Sequence, residues 1–206
     1  MDSKSVHEEM GEQWEQITLP KALTTHRDET HVAHCMLWFR TSPPQMSHIS
    51  YAFLQLRFDG LLGFPGGVVD EDITGLESII DSLQREMREE INYSDPIGVD
   101  HYFHTFYNKT RGFVSHFFSK EITLSEAEKL EMTHMKARDF PHESLGLLRV
   151  PIGSSLDRLG SYQFRRFHKN FMRQKFSGNV RKQIIEVCEK FGLMSEADLK
   201  FTKSQL

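Results

Sequence analysis

Three glutamates, Glu86, Glu89 and Glu90, close the run Arg85-Glu86-Met87-Arg88-Glu89-Glu90, and their spacing is i, i+3, i+4. On a helix such residues share one flank. Like charges placed this way cost roughly 0.2 to 0.5 kcal/mol per pair, so a helix that only had to be solvated would alternate sign there. The ordinary reading is the acidic face of an amphipathic surface helix. Three neighbours favour a bound cation instead. Phe64-Pro65-Gly66-Gly67 precedes the helix and supplies a bend whose backbone can approach a ligand. Arg85 is within helical reach of Glu89, and Asn92 follows the last turn, where asparagine tolerates the left-handed conformation that ends a helix.

Carboxylates so clustered suit a hard divalent ion, Mg2+ or Mn2+, with phosphate oxygens filling the remaining positions. A pyrophosphate resists water because its anionic oxygens repel a nucleophile. Divalent ions neutralise that charge, acidify a bound water and align it with phosphorus. Glu86 and Glu90 are therefore expected as ligands, Glu89 as ligand or base, and the Gly66 carbonyl as a backbone ligand. Arg85 is expected to clamp a carboxylate. Glu143 is a further candidate for base or ligand from a neighbouring strand, or an exposed acid where that strand begins.

Positioning these groups requires a helix with an apolar stripe, and Ile79, Ile80, Leu83, Met87 and Ile91 provide it. His31 to Arg40 reads as a strand buried on both faces. Ile49 to Phe58 alternates, with Tyr51, Phe53, Gln55 and Arg57 on one side and Ala52, Leu54, Leu56 and Phe58 on the other. Pro43-Pro44 marks a loop. Val99 to Tyr107 and Gly112 to Ile122 read as strands, and Glu143 to Val150 as another, stopped by Pro151. Ser125 with Glu128 forms a capping-box pattern opening a helix to about Lys136, and Ser177 to Phe191 reads as a helix stopped by Gly192. Strands and helices in this order predict an α/β fold, a mixed β-sheet between helical layers.

A chain of 206 residues is long enough for one elaborated domain. Residues 1–28 are expected to form a polar arm or short helix, residues 29–192 the domain and residues 193–206 a tail. The net charge of −4 says nothing decisive about partners as a total. Cys35 and Cys188 form no CxxC pair and read as reduced thiols of a cytosolic or nuclear protein. No signal peptide is visible, and no run approaches the ~18 apolar residues of a membrane helix. No membrane partner is expected, and a homodimer is left open.

Glu77, seven residues, then Arg-Glu-Met-Arg-Glu-Glu resembles the Nudix box, the signature of hydrolases of nucleoside diphosphates linked to another moiety. Nine residues separate Gly67 from Glu77 where the family pattern has five, and Asn92 replaces the closing glycine. FDGLLGFPGG, HVAHCMLW, ESLGLLRVP and FSGNVRKQ resemble segments of the snoRNA-decapping branch, whose members are also inosine diphosphate phosphatases. The resemblance implies a Nudix-type α/β/α sandwich, Gly66, Glu86 and Glu90 in the metal shell, and His34, Arg57, Phe64 and Gln183 around the nucleotide. A family histidine after the box has no secure counterpart; His104 lies two places off. The implied location is the nucleus, including nucleolus and nucleoplasm, and the cytoplasm.

Residues 158–182 carry eight Lys or Arg and no acid, with Tyr162, Phe164, Phe167, Phe171 and Phe176 interleaved. Basic groups track phosphodiesters and rings stack on unpaired bases, so Arg165, Arg166, Lys169, Arg173, Lys175, Arg181 and Lys182 form a candidate RNA surface. The competing reading is a charged rim over a core-facing aromatic stripe. The function expected is divalent-metal-dependent cleavage of the pyrophosphate in capped RNA, with small nucleotides such as inosine diphosphate as further substrates. The alternatives are a housekeeping hydrolase of ADP-ribose or dinucleotide compounds, and an inactive RNA-binding module.

Overall fold

A computed structural model describes residues 12–41, 49–70, 72–154 and 158–204; the expected Pro43-Pro44 loop and the first eleven residues of the expected arm lie outside them. The chain runs β1 (Trp14–Ile17), α1 (Leu19–Thr25), β2 (Thr30–Thr41), β3 (Ile49–Arg57), β4 (Leu62–Gly63), β5 (Gly66–Val68) and α2 (Leu76–Ile91). It continues with β6 (Tyr102–Asn108), β7 (Phe113–Glu121), α3 (Leu124–Thr133), β8 (Ser144–Ser154), α4 (Arg158–Phe171), α5 (Val180–Lys190) and α6 (Glu196–Lys203). The sheet is mixed: β2 runs parallel to β7 and antiparallel to β3 and β5.

Alternation along β2 and β3 explains the layers. Met36, Trp38, Ala52 and Leu54 join one buried cluster with α4 and α5, including Phe164, Phe171, Ile184 and Val187. Ala33, Cys35, Leu37, Phe39 and Phe53 join a second cluster on the other face with Ile79, Leu83, Met87 and Ile91 of α2 and Ala127 and Leu130 of α3. Successive strand side chains point to opposite faces, so a strand apolar at every position is sandwiched between helices. The α/β/α architecture with a mixed sheet is the one expected from the sequence.

Several expectations change. Trp14–Ile17 pairs with β6, and α6 packs on α4 and α5, so both stretches expected as arm and tail contribute to the folded body. The capping box that opens α3 is Thr123 with Glu126, two residues before the expected pair. Ile122 is buried at the end of the preceding strand and its N–H donates to Trp38 O, so the helix must begin at once. Val99–His101 forms a 3-10 turn rather than the start of β6. Ser177 N–H donates to Leu62 O and Gly178 has φ 50°, which delays α5 to Val180. Pro151 does not stop β8: it pairs with Tyr51 at a register shift, and bulges and sheet edges are where a strand tolerates proline.

Candidate active site

The helix α2 brings the acidic run to the sheet. Its apolar stripe lies in the core, Asn92 caps it at φ 58°, and Asn92 N–H reaches Arg88 O. That seating turns Glu90 inward: it is only 5% exposed, and its Oε2 accepts the Gly66 N–H at 2.7 Å. Gln55 Nε2 on β3 donates to both oxygens of Glu90 at 3.2 Å. Burial pushes the Glu90 carboxyl up to about 7, against the hydrogen bonds from Gly66 and Gln55, with the charges of Glu86 and Glu143 adding to the rise. Burial also raises Glu86, in spite of Arg85 beside it.

Arg85 gathers the other carboxylates. It lies 2.8 Å from Glu86 and 3.0 Å from Glu89, and its other nitrogen lies 3.1 Å from Asp70. Asp70 also takes a hydrogen bond from Ser82 Oγ, while Val69 and Ile73 sit in the core. The lengthened segment after Gly67 is thereby tied down. Glu77 is exposed in the first turn of α2, where an acid suits the helix dipole. Nine residues ahead of Glu86 it sits about half a turn round the helix, on the far side. Glu143 is exposed, and its loop is held by the Phe58 N–H donating to its carbonyl at 3.0 Å.

The glycines are matched to this geometry. Gly66 has φ 132°, and a Cβ there would lie 2.1 Å from Ala33 O. A Cβ on Gly67 would lie 2.6 Å from Glu86 Oε2. Cys35 N–H to Pro65 O and Val69 N–H to His31 O set the β2–β5 register, so Gly66 faces His34 in a non-hydrogen-bonded pair and its amide turns away from β2 toward Glu90.

On the opposite face of β2 lies a cleft of about 160 Å³, lined by His34, Arg57, Phe64 and Gln183 together with Trp14, Asn179 and others. All four residues assigned to nucleotide binding by resemblance thus meet in one cavity. Arg57 reaches it because the β3–β8 register shifts between Leu56 and Arg57; strict alternation had placed Arg57 beside Gln55, which faces Glu90 instead. Arg57 pairs with Asp59 at 2.9 Å. Burial, then the Arg57 charge, lowers His34 to about 4, so it is neutral near pH 7. Phe64 is 1% exposed and packs against Phe117 at 5.4 Å, which makes it a wall of the cleft rather than a free stacking platform. His104 is buried against Phe117 and bonded to Glu186 at 2.8 Å, on the face of the sheet opposite α2.

The basic segment divides. Phe164, Phe171 and Phe176 are core residues, as the competing reading had it. Arg165 pairs with Asp198 at 2.5 Å, Arg181 donates to Gln174 O, and Lys182 lies over Phe106 and 3.7 Å from Glu186. Arg166, Lys169, Arg173 and Lys175 remain exposed, beside exposed Tyr162 and partly exposed Phe167.

Two residues of this centre escaped the sequence reading. Gln55 had a signal, a polar side chain at a core position of an alternating strand. Arg138, 2.6 Å from Glu89, had none.

Among the described residues no group of three or more His, Cys, Asp or Glu side chains stands gathered as a ready ligand cage, because Arg85 and Arg138 draw on Glu86 and Glu89. Glu90, however, is buried with raised pKa and bonded only by neutral donors, Gly66 and Gln55. Hard carboxylate oxygens that burial has made reluctant to ionise are stabilised by a divalent cation, and the set fits one.

The fold and this box helix define a Nudix hydrolase, an enzyme of phosphoric anhydride bonds. The chain belongs to the Nudt16-like family, described as U8 snoRNA-decapping enzyme-like, whose match spans residues 31–194. It is 33% identical to the U8 snoRNA-decapping enzyme of Ovis aries over 193 residues, covering 91% of this chain and 94% of that protein. It is 28% identical to the Tudor-interacting repair regulator protein of Homo sapiens over 187 residues, 89% of this chain and 84% of that one. The crystal structure of a mutT/nudix family protein from Listeria innocua superposes with TM-score 0.52 at 13% identity, covering 79% of this chain and 94% of that one, a likeness of fold.

Proposed function

We propose that this protein is a Mg2+- or Mn2+-dependent hydrolase that cleaves the pyrophosphate of capped RNA, and that nucleoside diphosphates such as inosine diphosphate are further substrates. The observation that carries the reading is the placement of Glu90. It is buried, raised to about 7 and tethered to Gly66, which pairs with His34 of the cleft that also holds Arg57 and Gln183. Similarity to the sheep decapping enzyme over nearly the whole of both chains supports the RNA substrate and a nuclear location.

In this mechanism Glu86 and Glu90, with the Gly66 carbonyl, would hold a divalent ion, and Glu89 would hold a second or act as the base. Glu143, whose charge is felt by both Glu86 and Glu90, would take the proton from the attacking water. When bound, divalent ions neutralise the phosphate oxygens and acidify that water. Gly66 N–H and Gln55 fix Glu90 in one rotamer, which preorganises the site. His34, being neutral, can donate to or accept from a base. Gln183 offers an amide to a purine edge, and Arg57 offers a cation to the substrate's phosphates or ribose once Asp59 shares it. The RNA beyond the cap would follow the outer face of α4. There Arg166 and Lys169 lie at i and i+3, with Arg173 and Lys175 beyond the helix end and Phe167 available for a base.

A panel of capped RNA, inosine diphosphate and ADP-ribose with each metal tests the reading. Cap cleavage that is lost on chelation and in Glu90→Gln, while RNA still binds, is the expected result. Cleavage that survives in Glu90→Gln sinks the metal assignment, and hydrolysis confined to ADP-ribose favours the housekeeping alternative.

A further inference from the structure

Arg138 lies in the loop between the 3-10 turn His134–Lys136 and β8. Its side chain is 69% exposed, yet two acids hold it: Nη1 is 2.6 Å from Glu89 Oε1 and Nε is 2.9 Å from Asp139 Oδ1. The loop itself is pinned to the end of α2, since Asp139 N–H donates to Glu89 O at 2.9 Å and Glu143 N–H to Asp139 O at 3.0 Å. Glu89 therefore meets a guanidinium at each oxygen, Arg138 at Oε1 and Arg85 at Oε2. The two arginines are not equivalent. Arg85 is also anchored by Glu86, Asp70 and the Val68 carbonyl. Arg138 has only its sequence neighbour Asp139 besides Glu89 among the described residues. A pair open to solvent on its arginine side is held weakly, so Arg138 would yield Glu89 to a divalent ion more readily than Arg85.

We propose that Arg138 is an exchangeable counter-ion of the site: it covers Glu89 in the metal-free protein and, once an ion takes that carboxylate, turns its guanidinium onto the phosphate oxygens of the substrate. The inference rests on the assignment of Glu89 as a metal ligand in the proposed function. Displacement leaves a planar fork of N–H donors tethered by Asp139 beside the carboxylate cluster, where a pyrophosphate must lie, and such a fork matches phosphate oxygens in pairs. It also keeps a half-buried carboxylate neutralised when the ion is absent.

Mn2+ binding to wild type, Arg138→Gln and Arg138→Lys, measured calorimetrically without substrate, reads the first half of the exchange. Arg138→Gln should bind Mn2+ roughly two- to fivefold more tightly than wild type, the scale of an exposed ion pair, and Arg138→Lys should fall between them. Steady-state kinetics on inosine diphosphate at saturating Mn2+ read the second half. KM should rise about tenfold in Arg138→Gln, the scale of one charge-assisted contact, with kcat changed far less and KM partly restored in Arg138→Lys. Unchanged Mn2+ affinity, or unchanged KM, in Arg138→Gln overturns the exchange while the hydrolase reading stands. If wild type neither binds Mn2+ nor turns over, both fall together.

Discussion

Gly66 N–H donates to Glu90 Oε2 at 2.7 Å, joining the glycine-rich bend to the last turn of α2 across 24 residues of chain. The bond tethers a carboxylate that burial has already raised to about 7. A group whose folded pKa is raised above its ordinary 4.5 holds its proton longer when folded than when unfolded. The folded state is thus favoured below pH 4.5, and that advantage is lost as pH rises through about 7.

The first prediction follows from that sign. Glu90→Gln removes a charge that is costly above pH 7, so at pH 8 with a chelator the variant should match or exceed wild type in stability, by up to about 3 kcal/mol, with a thermal midpoint no lower. Adding Mn2+ should raise the midpoint of wild type and leave the variant unmoved. Scanning fluorimetry decides it. An equal Mn2+ shift in both proteins contradicts the role given to Glu90.

Acid should act on the histidines in the opposite sense. Burial lowers His116 to about 3 and His168 to about 4 from the ordinary 6.5. His116 belongs to a buried chain in which His31 Nδ1 meets His116 Nε2 at 2.9 Å and Thr105 Oγ1 meets His116 Nδ1 at 2.9 Å. Folded pKa values below the unfolded ones give stability that is complete above pH 6.5 and is lost as pH falls toward 4 and 3. Glu90 partly masks that loss between pH 7 and 4.5. In Glu90→Gln the fall in melting temperature from pH 7 to pH 4.5 should therefore be steeper than in wild type.

Adjacent glycines should behave differently. Gly66→Ala puts a methyl against the Ala33 carbonyl at 2.1 Å with φ 132°, and should destabilise the fold by about 3 kcal/mol. Gly67→Ala meets the far end of the Glu86 side chain at 2.6 Å, which can swing aside. Its stability in chelator should stay within about 0.5 kcal/mol of wild type, so its melting temperature should barely move. Its Mn2+ affinity should fall about 10- to 100-fold, as when a ligand's support is lost. Calorimetry and a melt on each variant separate the two.

The outer face of α4 and the turn that follows it set a fourth expectation. Replacing Arg166, Lys169 and Arg173 with Gln removes three exposed cations. The slope of log affinity against log salt for capped single-stranded RNA should shrink by about 2. Hydrolysis of inosine diphosphate should be unchanged. A salt slope equal to wild type places the RNA elsewhere.

Much of the centre was legible along the chain because helix and strand periods are local. The spacing of Ile79, Leu83 and Met87 fixed which side of α2 is buried, and with it the flank on which Glu86, Glu89 and Glu90 stand. Asn92 at φ 58° ended the helix as its residue type implied. The alternation of Tyr51, Phe53 and Gln55 carried Gln55 to Glu90. What tertiary structure decided was everything that depends on register and loop path. A shift at Leu56/Arg57 moved Arg57 to the cleft against the alternation, and the paired strand Trp14–Ile17 looked like a polar arm. Arg138 meets Glu89 across 49 residues. Contacts of that span leave no periodicity to read, since their geometry is set only when the sheet has closed and the helices have docked on it.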